Sequence, residues 1–456
     1  MKRGFFKEGT TMKQLMGVVV FAVAVVFLFS LTVPVVLAQP VDYCEGNFDN
    51  DQDQDGTDAF VFKSDFGRSS LLDPCPVIEC QTAEQLEVRI VQLETQLAQV
   101  TALLANVTRG TVNGQDTIRF SNMNVQVVDG SGDTSGTVNG RGNLIVGYNE
   151  LRGSGDVRTG SHNIVVGTYQ NYSSYGGLVA GYNNDISGSF SSVSGGYDNT
   201  ASGSFASVSG GASNTAAGGT SSVSGGYDNT ASDSYASVSG GVSNEASGFS
   251  ASVSGGEGNN ASGYLSSVSG GYANTASDYY TSVSGGHANT ASGYYASVSG
   301  GFANIANGYL SSVSGGHTNT AFGYYASVSG GDANTASGSY ASVSGGYANS
   351  ASGFFASVSG GLNNQAIGGY SFVGGGGSDN PAWGNYAVAD YSAILGGADN
   401  TAGDPNRVDT TIGQWSTVSG GRDNFASGAY ASVSGGGAGN ATGVDDWVAG
   451  GLWEDQ

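Results

Sequence analysis

The sequence predicts an all-β solenoid of coils about 15 residues long, and three observations predict it. Val recurs at 193, 208, 223, 238, 253, 268, 283, 298, 313, 328, 343, 358 and 373, thirteen copies over 180 residues without a slip. Gly supplies 78 of 456 residues, with six Pro and no G-X-Y period, which excludes collagen. Only 11% of the residues are charged, too few for an acidic disordered chain or a long coiled coil. A coil of this length is too short for a helix pair, and Ser-Val-Ser with paired Gly is poor helix material. Two short strands and two tight turns fit the count.

The first element, residues 1–38, reads as an export signal. Lys2, Arg3, Lys7 and Lys13 precede an apolar run from about Leu15 to Leu37, and Val36-Leu37-Ala38 offers a cleavage site before Gln39. The run is also long enough to serve as an uncleaved anchor. Residues 39–80 form a small module bounded by Cys44, Cys75 and Cys80. In an oxidising compartment Cys44 and Cys75 can staple it, with Cys80 left over; three Cys without a nearby His are an incomplete zinc set.

Between the cysteines lies a run of oxygen ligands on alternate residues, the pattern a hard cation such as calcium needs. One register, with Gly56 as the turn glycine, uses Asp51, Asp53 and Asp55 but puts Phe62 at the twelfth position. The other places Asn47, Asp49, Asp51, Asp55 and Asp58 at positions 1, 3, 5, 9 and 12. A structural calcium is the expectation; the alternative is a solvated acidic linker.

Residues 81–108 carry Leu86, Ile90, Leu93, Leu97, Val100, Leu104 and Val107 in steps of four and three, the seam of a short coiled coil. The seam is expected to clamp copies of the chain together, the alternative being an amphipathic helix packed on a domain. Residues 109–140 are a lead-in β region, 141–373 the repeat array, and 374–456 irregular and capping repeats.

Within the array the copies can be read column by column. Ala206 and Val208 share a strand face, Phe205, Ser207 and Ser209 the other, and invariant Val marks the core side. Asn fills the 199 column from Asn199 to Asn364, where stacked side chains can form an amide ladder. Ala follows two residues later and calls for a tight interior. The Gly195-Gly196 pair and the Gly203 column, with Asp233 and Asp278 in two copies, are expected to take positive φ. One Val and two Ala per coil are a small apolar interior against some 15 residues to order, roughly a few kcal/mol by area. A second buried face between chains, in a homotrimer, would remedy that.

The 205 column holds Phe205, Tyr235, Tyr280, Tyr295, Tyr325, Tyr340, Phe355 and Tyr370, with Leu265 and Leu310 between. This stripe either grips a ligand or packs across a subunit interface. Two interruptions, about Gly374–Ala393 and Ala398–Thr417, carry Trp383 and Trp415 and are further ligand-contact candidates. Trp447 and Trp453 are expected to cap the open end. No Lys or Arg stands between Arg158 and Arg407, and the net charge of −23 argues against nucleic acid and anionic membranes. His287 and His317, two coils apart, are too distant to share a metal. No catalytic constellation is legible, so no enzymatic activity is expected.

The units Tyr-Ala-Ser-Val-Ser-Gly-Gly and Asn-Thr-Ala-Ser-Gly resemble the head repeats of YadA-like trimeric autotransporter adhesins, over about residues 140–451. That resemblance implies a left-handed parallel β-roll, a tight homotrimer, and adhesion to host matrix or other cells. The chain departs from the family in its 15-residue period where 14 is commoner, in a coiled coil that precedes the head, and in a C-terminus unlike an outer-membrane barrel anchor. The second calcium register resembles a dockerin loop, with Gln52 where Gly is usual and a single copy where dockerins carry two. The expected protein is thus a secreted or bacterial cell-surface adhesin-like molecule with an extracellular protein or glycan partner. A passive secreted fibre, or an ice- or carbohydrate-binding solenoid, is the alternative.

Overall fold

A computed structural model describes residues 83–450, in two compact units that divide at Asn124 and Val125. The export signal, the calcium-loop residues Asn47, Asp49, Asp51, Asp55 and Asp58, the cysteines Cys44, Cys75 and Cys80, and Trp453 lie outside the described residues.

The first unit holds one helix, α1 (Ala83–Leu103), and an antiparallel hairpin, β1 (Val107–Val112) and β2 (Gln115–Phe120). The seam is therefore shorter than its spacing implies. Val100 is its last helical member, Leu104 sits in the turn after α1, and Val107 opens β1. No residue of α1 is buried within the chain, and Leu86, Ile90, Leu93 and Leu97 are exposed. The hairpin turns on Asn113-Gly114, both at positive φ (49° and 79°), the two-residue connection whose twist matches paired strands. The expected 109–140 lead-in is thus divided, its first part with the helix and its remainder, from Val125, with the second unit.

The second unit is a parallel β-solenoid of about 19 turns. Its strands form two open, in-register parallel sheets. One runs from Leu144–Val146 through the Ser-Val strands to Trp447–Val448, the other from Asn171–Tyr172 through the Thr-Ala strands to Asn440–Ala441. Equivalent residues pair coil to coil, Val208 with Val223 and Ala216 with Ala231. A third line of single bridges follows the 197 column, for example Tyr197 to Ala212. The Val column, the Ala201 column and the Ala of the 206 column are essentially fully buried and form one continuous core.

Two coils at the start are 14 residues long, Val165 to Val179 and Val179 to Val193. There the strands are longer, and Ile164–Thr168 pairs without a break with Leu178–Tyr182. The 15-residue coils carry three residues, Ser194-Gly195-Gly196, where the short coil has Ala180-Gly181. The extra residue bulges the strand, leaving a two-residue ladder and a separate bridge. The two Gly of the pair then differ. A Cβ on Gly211 would lie 2.2 Å from the Gly226 carbonyl oxygen, at φ +86°, whereas one on Gly210 would meet nothing within 4 Å.

The Gly203 column does not turn at positive φ as expected; it is glycine because the next coil is close, a Cβ there lying 2.0 Å from the Gly218 oxygen. The left-handed turns fall instead on non-glycine residues of the 198 and 205 columns, such as Asp198 at 57° and Tyr235 at 60°. The first coils are tied by the segment between Val146 and Ile164, where Arg152 donates to the Tyr169 and Asn184 carbonyls, at 2.6 Å each, and Arg158 donates to the Asn149 and Glu150 carbonyls. Nearby, the Asp129 carboxyl is lowered from its ordinary value by the Ser131 hydroxyl and N–H and by His162. At the other end Trp447 does not cover the core. It is 69% exposed, on the Ser-Val face, and its indole N–H donates to the Ser434 hydroxyl at 2.8 Å.

Candidate functional site

Along each turn of the solenoid two corners carry side-chain columns of opposite character. The inner corner belongs to Asn. Each Asn side-chain oxygen accepts the backbone N–H of the Asn one coil on, as Asn199 does from Asn214 at 3.0 Å. Its amide donates to the first Gly of its own coil and the second Gly of the next, Asn214 to Gly210 at 3.1 Å and to Gly226 at 3.0 Å. These donors and acceptors are buried and satisfied, which is the condition for a polar group inside a core. The ladder extends beyond the regular copies, from Gln170 and Asn184 through Asn385, Asn400 and Asn424. The Asn-x-Ala triplets at 385–387, 400–402 and 424–426 carried that signal in the sequence.

The outer corner is aromatic. The 205 column lies in a tight turn, not on a strand face, because the chain folds back at Ala206, whose N–H bonds to the Gly203 carbonyl at 3.1 Å. The side chains there are exposed: Tyr235 58%, Tyr280 38%, Tyr295 43%, Tyr325 44% and Tyr340 44%. Where neighbouring coils both carry a ring the two stack, Tyr280 on Tyr295 at 4.7 Å and Tyr325 on Tyr340 at 4.9 Å, nearly parallel, whereas Tyr235, between Thr220 and Ser250, meets Phe249 edge to face at 5.5 Å. From Tyr325 the stack runs unbroken through Tyr340, Phe355, Tyr370, Tyr391 and Trp415 to Tyr430.

Next to it is a second stack, Phe249, Tyr264, Tyr279, Tyr294, Tyr309 and Tyr324, in the 204 column. The two meet edge to face, Tyr294 against Tyr295 at 4.6 Å and 81°. Burial among these rings, with Tyr295 beside it, raises the Tyr294 phenol above its ordinary value. Sequence reading missed this column because its early copies are Ser204, Gly219 and Ser234. A third stack in the 197 column joins His287, Phe302 and His317 at 4.8 and 5.0 Å. His317 pairs with Asp332 at 2.9 Å and lowers that carboxyl.

The interruptions narrow to residues 378–384 and 404–413, and the strands Tyr386–Ala387, Ala393–Ile394, Thr401–Ala402 and Thr417–Val418 carry both sheets past them. In the first, Asn380 caps a 3₁₀ turn, Pro381–Trp383, accepting the Ala382 N–H at 3.0 Å. The turn is tied down by Tyr386, whose hydroxyl donates to the Pro381 carbonyl at 2.8 Å. In the second, the buried carboxylate of Asp404 accepts the N–H groups of Asn406, Val408 and Asp409, which hold it below its ordinary pKa, the Asn406 bond foremost. Arg407 lies 3.4 Å over the Tyr386 ring and pairs with Asp399 at 3.4 Å. Arg422 lies 5.3 Å over Trp383.

The two predicted tryptophans are therefore unlike. Trp415 is a rung of the 205 stack, 4.0 Å from Tyr391, while Trp383, 44% exposed, stands on its own turn. Among the described residues no group of three His, Cys, Asp or Glu is placed to hold a metal ion. No protein-family model matches the chain, and a search of curated proteins finds none that matches it.

Proposed function

We propose that this chain is an exported, non-catalytic protein of the bacterial cell surface or exterior whose solenoid serves as an adhesin-like contact surface. In this reading the solenoid is left-handed and homotrimeric, held in register by the α1 seam, with calcium in the Asn47–Asp58 loop. The carrying observation is the outer corner. Backbone at φ near +60° favours Gly or Asn, and a bulky side chain there costs about 1–2 kcal/mol. The array nevertheless keeps Tyr and Phe at that position in coil after coil, exposed. Stacking offsets part of the cost, at roughly 0.5–1.5 kcal/mol per pair, and an aromatic surface for a macromolecular partner accounts for the choice. The exposed seam of α1 supports self-association on the same logic of an unburied apolar stripe.

Binding of residues 39–456 to matrix proteins and glycans, beside a variant with Tyr280, Tyr295, Tyr325 and Tyr340 changed to Ser, tests the adhesive role. Loss in the variant is expected, and no binding by the unmodified chain overturns it. Sedimentation equilibrium tests the trimer, which a clean monomer would remove. The second reading, a passive fibre, is favoured by one observation: the rings stack on one another, so much of their faces is already covered.

A further inference from the structure

Resting on the adhesive reading, we propose that Trp383 and Arg422 form a subsite for a neutral hexopyranose saccharide. Beyond Arg158 the sequence has two basic residues, Arg407 and Arg422, and both are drawn to the first interruption. Arg407 is committed, with Asp399 as its ion pair and the Tyr386 ring beneath it. Arg422 makes no ion pair among the described residues and is exposed. Its backbone is fixed in the 197 column, where the rungs on either side are the small residues Ala398 and Gly437.

Trp383 is equally fixed. Its N–H donates to the Asn380 carbonyl at 2.9 Å, its carbonyl accepts the Asp399 N–H at 2.9 Å, and a Cβ on the following Gly384 would collide with the Asn363 oxygen. An exposed indole with a planar set of five donors 5.3 Å from its ring centroid, both carried on backbone that is held before any ligand arrives, suits a sugar ring. The indole takes its apolar C–H face and the guanidinium its vicinal hydroxyls. Charge selects against a polyanion, since Asp423 follows Arg422 in a chain of net charge −23.

The test is an array of neutral and uronate-containing glycans probed with the full chain, followed by titration of the best ligand under tryptophan fluorescence. Trp383→Ala and Arg422→Gln are each expected to weaken a neutral glycan at least tenfold, and Arg422→Lys less, with circular dichroism unchanged. Preference for the uronate members, or undiminished affinity in both variants, overturns the subsite. Binding that survives both variants but is lost with the four tyrosines leaves adhesion standing and removes this site alone. No binding by the unmodified chain removes both.

Discussion

The two corners of the solenoid share a backbone problem and solve it with opposite residues. Both must reverse the chain within a few residues, and each places a non-glycine residue in the left-handed region, Ala288 at 56° in one and Tyr295 at 59° in the other. At the inner corner what surrounds that residue is invariant, because each Asn closes hydrogen bonds with two neighbouring coils and a Cβ on each second Gly would collide with the carbonyl of the next coil. At the outer corner the close approach falls on the Gly203 column, and the 205 position beside it makes no such demand, its occupants ranging over Phe205, Thr220, Tyr235, Ser250 and Leu265. A column that cannot vary records architecture, and one that varies within a bias toward aromatics records use of the surface.

The comparison breaks most readily at Asn289. Its replacement by Ala orphans the Gly285 carbonyl and the Asn304 N–H in a buried setting, and leaves the Gly301 carbonyl with the His287 N–H alone. At about 1–3 kcal/mol for each of the two orphaned groups, a loss of about 2–6 kcal/mol is expected in chemical denaturation; a loss under about 1 kcal/mol would mean that the ladder is ornamental. Next comes the Gly pair. Gly211→Ala is expected to cost about 2–3 kcal/mol through strain and collision, whereas Gly210→Ala, with open space around its Cβ, should stay within about 0.5 kcal/mol. Equal costs would contradict the bulge that separates the two positions.

The second interruption supplies a pH test. Because the folded pKa of Asp404 is depressed, the stability it contributes is complete above its ordinary value of 3.8 and is lost as the pH falls through the lower folded value. Amide exchange at Val408 and Asp409, relative to intrinsic rates, should therefore accelerate only below that range. In Asp404→Asn it should be fast at every pH. The smallest effect is expected at the outer corner. Tyr295→Asn exchanges backbone relief for lost stacking with Tyr280, so stability should change by no more than about 1 kcal/mol. A larger loss would turn the aromatic stack into a structural element and weaken the adhesive reading.

The array was legible because it repeats: thirteen copies mark Val as core and Asn as a ladder without any second sequence. What escaped were features set by the turn between strands. Phe205 and Ser207 share a strand face only if the strand continues through Ala206, and a hydrogen bond from Ala206 to Gly203 ends it there. The hairpin at Asn113-Gly114 is signalled by that dipeptide alone, whereas nothing local marks where the lead-in divides between the two units. The seam of α1 ran two positions too far because Leu104 and Val107 keep the heptad spacing while the chain has already turned toward β1. The pairing of Arg422 with Trp383 had no local signal, since 39 positions separate them and only the return of the solenoid brings them together.

The in-register stacking of near-identical coils has a consequence for how such a chain changes length. Residue 208 lies directly over residue 193, and residue 223 over residue 208. Excision or duplication of any whole unit therefore rejoins the chain rung to rung, with Val on Val, Asn on Asn and every turn preserved. Each event shortens or lengthens the solenoid by about 4.8 Å and leaves the lead-in and the Trp383 turn chemically intact at either end. Reach thus becomes a quantity that recombination between neighbouring units can adjust in even steps, with no residue redesigned.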